Sequence, residues 1–338
     1  MPFVEEILKY NSLSIVGLEK NTGKTETLNY VLKRLPSNDL TIAVSSVGID
    51  GERVDQVTQT RKPEIYLKKG VIFTTSEKHY RKRRLLSELL EIDDEQTALG
   101  RLMTARALID EKIILSGPSS TAGLERWVNK LQNNFGVQLC VIDGALSRLS
   151  LASPAVSQSM ILATGAALSI DIPTLVRKTL FVVDLINLPL TQLACINELD
   201  AKERGIWLVD KDGDIYESSH FTSFSPNIPE LANDNSTGAI YLSGALTDSF
   251  LKKTAENKNC NGTELIVRDF TRIFTEPLTY KKFIGNGGKL TVLRKSKLIA
   301  ITVNPFAPNG TALDSDELCR QLMHKAKLPV YDIVKNGY

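Results

Sequence analysis

Apolar and polar positions alternate along this chain in short, regular blocks. Ser12-Leu13-Ser14-Ile15-Val16-Gly17 is an apolar run ending in glycine, the pattern of a buried strand. A polar loop follows. Leu28, Val31, Leu32 and Leu35 then recur at helical spacing. Thr41 to Val47 is a second apolar strand, opening into Gly48-Ile49-Asp50-Gly51-Glu52. Short strands are expected at Ile65–Leu67 and Val71–Thr75, helices over Leu85–Leu90 and Leu99–Leu108, a strand at Lys112–Gly117, and a helix at Leu124–Leu131. Val137 to Asp143 reads as another strand, and the small-residue-rich stretch Ser153 to Ala167 as a helix packed closely on the sheet.

Strand–helix–strand order predicts a parallel α/β sheet flanked by helices. Near residue 200 the chain becomes polar, and Ile206–Tyr216 reads as a hairpin turning at Asp212-Gly213. Asp210, Asp212 and Asp214 imitate the start of a calcium loop, but Ile215 and Phe221 stand where a glycine and a glutamate are required, so a turn is expected. Beyond it, Ile240–Ala245 and Ile266–Asp269 echo Ile113–Pro118 and Val141–Asp143. The expected organisation is a P-loop nucleotide-binding domain over 1–200 and a second α/β domain over 201–338, closing with strands at Leu290–Leu293, Leu298–Asn304 and Val330–Val334 and a helix over Asp316–Lys327.

Candidate chemistry lies first in the loop between the opening strand and helix, Gly17-Leu18-Glu19-Lys20-Asn21-Thr22-Gly23-Lys24-Thr25. Strand, phosphate loop and helix in that order form a P-loop site, because loop and helix N–H groups converge on an anion. Asn21, Thr22, Gly23, Lys24 and Thr25 are the expected phosphate contacts, with Lys24 on the terminal phosphates and the Thr25 hydroxyl on Mg²⁺. Five residues separate Gly17 from Gly23, one more than the usual spacing. Either the loop has an extra residue or Gly17 belongs to the strand. Ligands of such sheets gather at the carboxyl ends of the strands. Asp50 there is a Mg²⁺ or water-positioning group, or simply part of an Asp-Gly turn. Asp143 is the acid of a Walker B strand, or a strand-terminal cap.

Composition narrows the picture further. With 338 residues, 42% hydrophobic and 24% charged, the chain is ordinary for a globular protein. A net charge of +2 gives no reason to expect nucleic acid, and the basic run Lys78–Arg84 reads as a solvated helix start. The scattered cysteines, Cys140, Cys195, Cys260 and Cys319, fit a reducing compartment. Glu5 and Glu6 stand where a signal peptide would be basic, and no run reaches membrane-spanning length. A cytoplasmic protein without a membrane partner is expected.

Lys20-Asn21-Thr22-Gly23-Lys24-Thr25 resembles the phosphate loop of small P-loop proteins related to the molybdopterin-guanine-dinucleotide accessory protein and to dethiobiotin synthetase. Taken with Ser45–Glu52 and Lys62–Tyr66, it is similar to the ATP-binding subunit of the lysine 5,6-aminomutase reactivase. That resemblance is specific over residues 13–75 and looser to about 165. It implies ATP as the nucleotide and phosphoanhydride hydrolysis as its chemistry; read from the residues, Lys24, Asp50 and Asp143 are the catalytic candidates, and Thr25, Asp50 and Asp143 the candidates around Mg²⁺. It also implies a chaperone-like role in exchanging damaged cobalamin, with a second reactivase subunit and an aminomutase client as partners. A homo-oligomer is compatible with it. No cobalamin-binding Asp-x-His-x-x-Gly pattern occurs here, so a corrinoid is expected on client or partner. Two other readings stand beside it. One is an ATP-dependent ligase or kinase of the dethiobiotin-synthetase type, with its substrate near Asp50 and Ser116–Gly123. The other is a partner-binding protein with a vestigial loop.

Overall fold

A computed structural model describes residues 3–36, 39–48, 64–145, 153, 156–218, 222–224, 237–257, 262 and 264–335. In chain order, α1 (Phe3–Ile7) leads to β1 (Ser12–Gly17), α2 (Lys24–Arg34), β2 (Ile42–Ser46), β3 (Ile65–Leu67), β4 (Ile72–Ser76) and α3 (Glu77–Arg81). Then come β5 (Ser87–Thr97), β6 (Gly100–Ala107), β7 (Glu111–Ile113), α4 (Thr121–Phe135), β8 (Leu139–Ala145), β9 (Ser159–Gly165) and α5 (Ile172–Ile186). After α6 (Ile196–Asp200) follow β10 (Ile206–Asp210), β11 (Ile215–Glu217), β12 (Thr237–Leu242), β13 (Leu246–Thr247), α7 (Asp248–Glu256), β14 (Glu264–Val267), β15 (Ile273–Phe274), α8 (Pro277–Gly285) and β16 (Lys289–Val292). The chain ends with β17 (Lys297–Asn304), α9 (Ser315–Ala326) and β18 (Val330–Asp332).

Two compact units result: residues 1–180 with 296–338, and residues 181–295. This differs from the expected boundary at 200/201. The segment 296–338, assigned from sequence to a C-terminal domain, returns to the first unit because β17 pairs with β9 from Lys297↔Ser159 to Asn304↔Gly165.

In the first unit, nine strands among the described residues form one sheet in the order β18-β17-β9-β1-β8-β2-β4-β6-β5. The strands from β18 to β4 run parallel, and β6 and β5 close one edge in antiparallel. The core follows the period-two rule of strands. On β8, Leu139 and Val141 join a cluster with Leu28, Val31 and Leu32 of α2, while Cys140 and Ile142 join Leu124, Trp127 and Leu131 of α4. Each face of the sheet is thus covered by a helix, and fully burying one such leucine stabilises by about 1.5–3 kcal/mol. The Trp127 indole N–H donates to the buried Thr74 hydroxyl at 2.7 Å, satisfying the polar end of that ring.

Three sequence expectations fail here. Leu85–Leu90 and Leu99–Leu108 are not helices: they fall largely on β5 and β6, where cross-strand pairing from Ser87↔Ala107 to Thr97↔Gly100 overrides helical leucine spacing. Ser153–Ala167 is not a helix either, since Ser159–Gly165 is the fully buried strand β9. Its small residues fit between β1 and β17, its two neighbours in the sheet.

The second unit carries its own sheet, ordered β11-β10-β12-β14-β16. β12, β14 and β16 are parallel, and β10 and β11 form the expected hairpin. Asp210 accepts the N–H groups of Asp212 and Asp214 at 2.9 Å, and Gly213 adopts φ 94°, so the aspartates build a turn.

Candidate functional site

The order of the large sheet reverses around β1. From β1 the chain proceeds outward to β2 and β4, and after β8 it crosses to β9, β17 and β18 on the other side. Reversals of this kind open a crevice at the carboxyl ends of the strands. The β1–α2 loop lies at that crevice.

The loop is built by local geometry. Asn21 has φ 62° and Gly23 φ 90°, both left-handed. Asparagine and glycine are the residues that reach this region at least cost. Such a run of turned peptides directs successive N–H groups into one concavity, suited to an anion. Gly23 is also the N-cap of α2 and uses no side chain for it, so the helix N-terminus opens onto the loop. Inside the loop, the Thr22 hydroxyl donates to the Glu19 carbonyl at 2.8 Å. The Lys24 ammonium folds back towards the same carbonyl at 3.5 Å.

Gly17 ends β1, opposite Ala145 on β8 and Ala163 on β9. A Cβ there would lie 2.6 Å from Lys24 Cγ and 2.7 Å from the Thr22 hydroxyl oxygen. The Lys24 stem therefore lies across a bare backbone. Gly17 is both the strand end and the glycine the loop requires, and the intervening residues 18–22 fit because Thr22 tucks in, 1% exposed.

The site residues expected from sequence fall into three groups. Asn21, Thr22, Gly23, Lys24 and Thr25 are together in the loop and first turn of α2. Of these, Thr22 spends its side chain on the loop itself, leaving only its backbone for a ligand. Asp143 is on β8, directly beside β1, in register with Ile15 on one side and Ser46 of β2 on the other. It is half-buried, and its carbonyl accepts the Val47 N–H at 3.0 Å. Asp50 and Glu52 lie outside the described residues.

Residues outside the expected phosphate contacts hold the loop from the side of β17. Asn304 Nδ2 donates to the Asn21 carbonyl at 3.0 Å. Asn304 also lies where a Cβ on Gly23 would approach within 3.1 Å of its own Cβ. The Thr27 hydroxyl bonds to the Gly23 carbonyl and to the Thr302 hydroxyl, each at 2.9 Å. In the sequence, Asn304–Gly310 reads as a rigid loop lining a ligand or partner surface, or equally as a strand–helix connection, and nothing ties it to the β1–α2 loop. On the other flank, Gly117 presses against β2, with a Cβ there 2.0 Å from the Ser46 carbonyl oxygen. The loop after Ile114 is thereby seated on the same sheet edge as Asp143.

A phosphate chain fits this set of groups: a concavity of turned backbone, a helix N-terminus and a lysine. A divalent cation would find oxygen donors of the right hardness in the Thr25 hydroxyl and Asp143 carboxylate. No helix among the described residues is long and apolar enough to cross a membrane. No protein-family model matches the chain, and no curated protein matches its sequence.

Proposed function

We propose that this chain is a P-loop protein that binds Mg²⁺–ATP at the β1–α2 loop and uses it to act on a protein partner. The observation that carries the reading is the packing of Lys24 across Gly17, beside left-handed Asn21 and Gly23 at the open N-terminus of α2. In this reading the backbone of Asn21–Lys24 cradles the β-phosphate, Lys24 leaves the Glu19 carbonyl to neutralise the terminal phosphates, and Thr25 with Asp143 holds the metal. The nucleotide supplies a phosphoanhydride whose cleavage releases energy, and Asp143 orients the attacking water. Asp50, which follows β2 in the sequence, is the further acid proposed for the metal or the water.

The finer proposal is a reactivase subunit that, with a second subunit, exchanges damaged cobalamin on an adenosylcobalamin-dependent aminomutase. It rests on the resemblance of residues 13–75. The test is reconstitution: chain, candidate second subunit and inactivated aminomutase, with Mg²⁺–ATP. Recovery of mutase activity is expected with the native chain and not with Lys24→Ala. Equal recovery with both would end the proposal. The seating of the Gly117 loop beside β2 favours one alternative, a ligase or kinase with a small substrate there. ADP release that depends on a small metabolite, with no protein partner present, would favour it.

A further inference from the structure

The second unit carries a separate group of cations that the nucleotide reading does not use. They lie at the carboxyl ends of its parallel strands. Arg268 directly follows β14, Arg294 follows β16, and Arg272 is in the short 3₁₀ turn Phe270–Arg272. Tyr241, on β12, is wholly buried beneath them. Arg268 donates to the carbonyls of Asp200 and Lys202 at 3.1 and 3.0 Å, and Arg294 donates to the Asp200 carboxylate at 3.0 and 2.5 Å. These bonds pin the end of α6, which is a structural role.

They leave donors over. Among the described residues at this edge, the Tyr241 hydroxyl, Arg268 Nε, Arg272 Nε and Asp200 Oδ1 are buried with no hydrogen-bond partner. Arg268 Nε stands 3.7 Å from Asp200 Oδ1, in ion-pair range but too long for a hydrogen bond. Buried polar groups are rarely left this way, because each loses its hydrogen bonds to water and gains none in return. Three groups that can give a proton thus stand against one orphaned acceptor, Asp200 Oδ1, so acceptors are in deficit. Charge points the same way. Among the described residues, the segments Asp200–Lys202 and Arg268–Arg272 with Arg294 bring three guanidiniums and two carboxylates, Asp200 and Asp269, and Asp269 already accepts the Thr271 N–H and hydroxyl. The rim is open: the side chains of Arg268 and Arg294 are 21% and 37% exposed.

We propose that the carboxyl edge of β12, β14 and β16 is a binding site for a phosphate group, with Arg268, Arg272, Arg294 and the Tyr241 hydroxyl as its donors. Guanidiniums on three separate segments match the several oxygens of a phosphate better than the two of a carboxylate. The ligand is a free phosphate ion or a phosphate monoester. This site belongs wholly to residues 181–295 and does not depend on the reading of the β1–α2 loop.

The test uses the full chain carrying Lys24→Ala, so that phosphate held by the first unit does not contribute. Calorimetric titration with inorganic phosphate is expected to give saturable binding. Glycerol 3-phosphate, titrated alongside, identifies the source: tighter binding of one or the other names the free ion or the ester, and binding of either supports the site. Adding Arg272→Gln is expected to weaken the tighter ligand by about tenfold or more, the effect of losing one charge-assisted hydrogen bond. Tyr241→Phe keeps the shape of the core, so it serves even if the arginine variant fails to fold, and should weaken binding several-fold. Loss in either folded variant supports the site. Absence of binding by the Lys24→Ala chain, unchanged affinity in the folded variants, or succinate binding as tightly as phosphate would overturn it.

Discussion

At the residue scale, the contact between Gly17 and Lys24 ties the end of β1 to the first turn of α2. A single methyl at position 17 meets two carbons of the lysine stem and the Thr22 hydroxyl, all within 2.7 Å. Gly17→Ala is therefore expected to displace Lys24 and weaken Mg²⁺–ATP binding by about tenfold or more, since contacts that close force side chains off their rotamers at about 1–3 kcal/mol. Calorimetry on the folded variant checks this. Cys140 offers a second prediction. It is buried on β8, and burial pushes its thiol up from 9.0 to about 12. The folded state holds this proton more tightly than the unfolded state. Stability is thus fully present below pH 9 and declines as pH rises from 9 towards 12. In the native protein at pH 8, Cys140 should resist an alkylating reagent, mapped by mass spectrometry, and react once the chain is unfolded. Modification at the native rate of a free thiol would contradict its burial.

At the scale of elements, the β1–α2 loop is held by a strand that arrives almost three hundred residues later. Asn304 of β17 donates to the Asn21 carbonyl. Asn304→Ala removes that bond, whose net worth is about 0.5–1.5 kcal/mol. Nucleotide affinity should fall several-fold while the melting temperature changes little. This support was not legible in the sequence, whereas β1, the loop and α2 were, because Leu13, Ile15, Val16 and Gly-Lys-Thr are contiguous and their signal is local. Leu85–Leu90 and Leu99–Leu108 misled for the opposite reason. Their spacing fits a helix, and only the pairing of Ser87 with Ala107 and its successors makes them strands. The buried strand β9 hid behind alanine and serine, which a helix accommodates as readily. Pairing between distant segments leaves no mark on either segment alone.

At the scale of the molecule, the chain inserts residues 181–295 between two parts of one unit. β17 and β18 form one edge region of the nine-stranded sheet, with β17 directly on β9. A chain ended at residue 295 would expose β9 and lose Leu298, Ile301 and Val303, all buried. It is expected to lose cooperative unfolding of the first unit, followed by circular dichroism, and with it nucleotide binding. A domain boundary at 200/201 would instead leave binding intact in a chain ended near residue 200. Whether the β1–α2 loop is a working nucleotide site is decided by calorimetric titration of the full chain with ATP in the presence and absence of Mg²⁺. Saturable, Mg²⁺-dependent binding is expected, which Lys24→Ala abolishes and Asp143→Asn reduces chiefly in its Mg²⁺ dependence. Absence of ATP binding by the folded native chain, or binding that Lys24→Ala leaves unchanged, would contradict it.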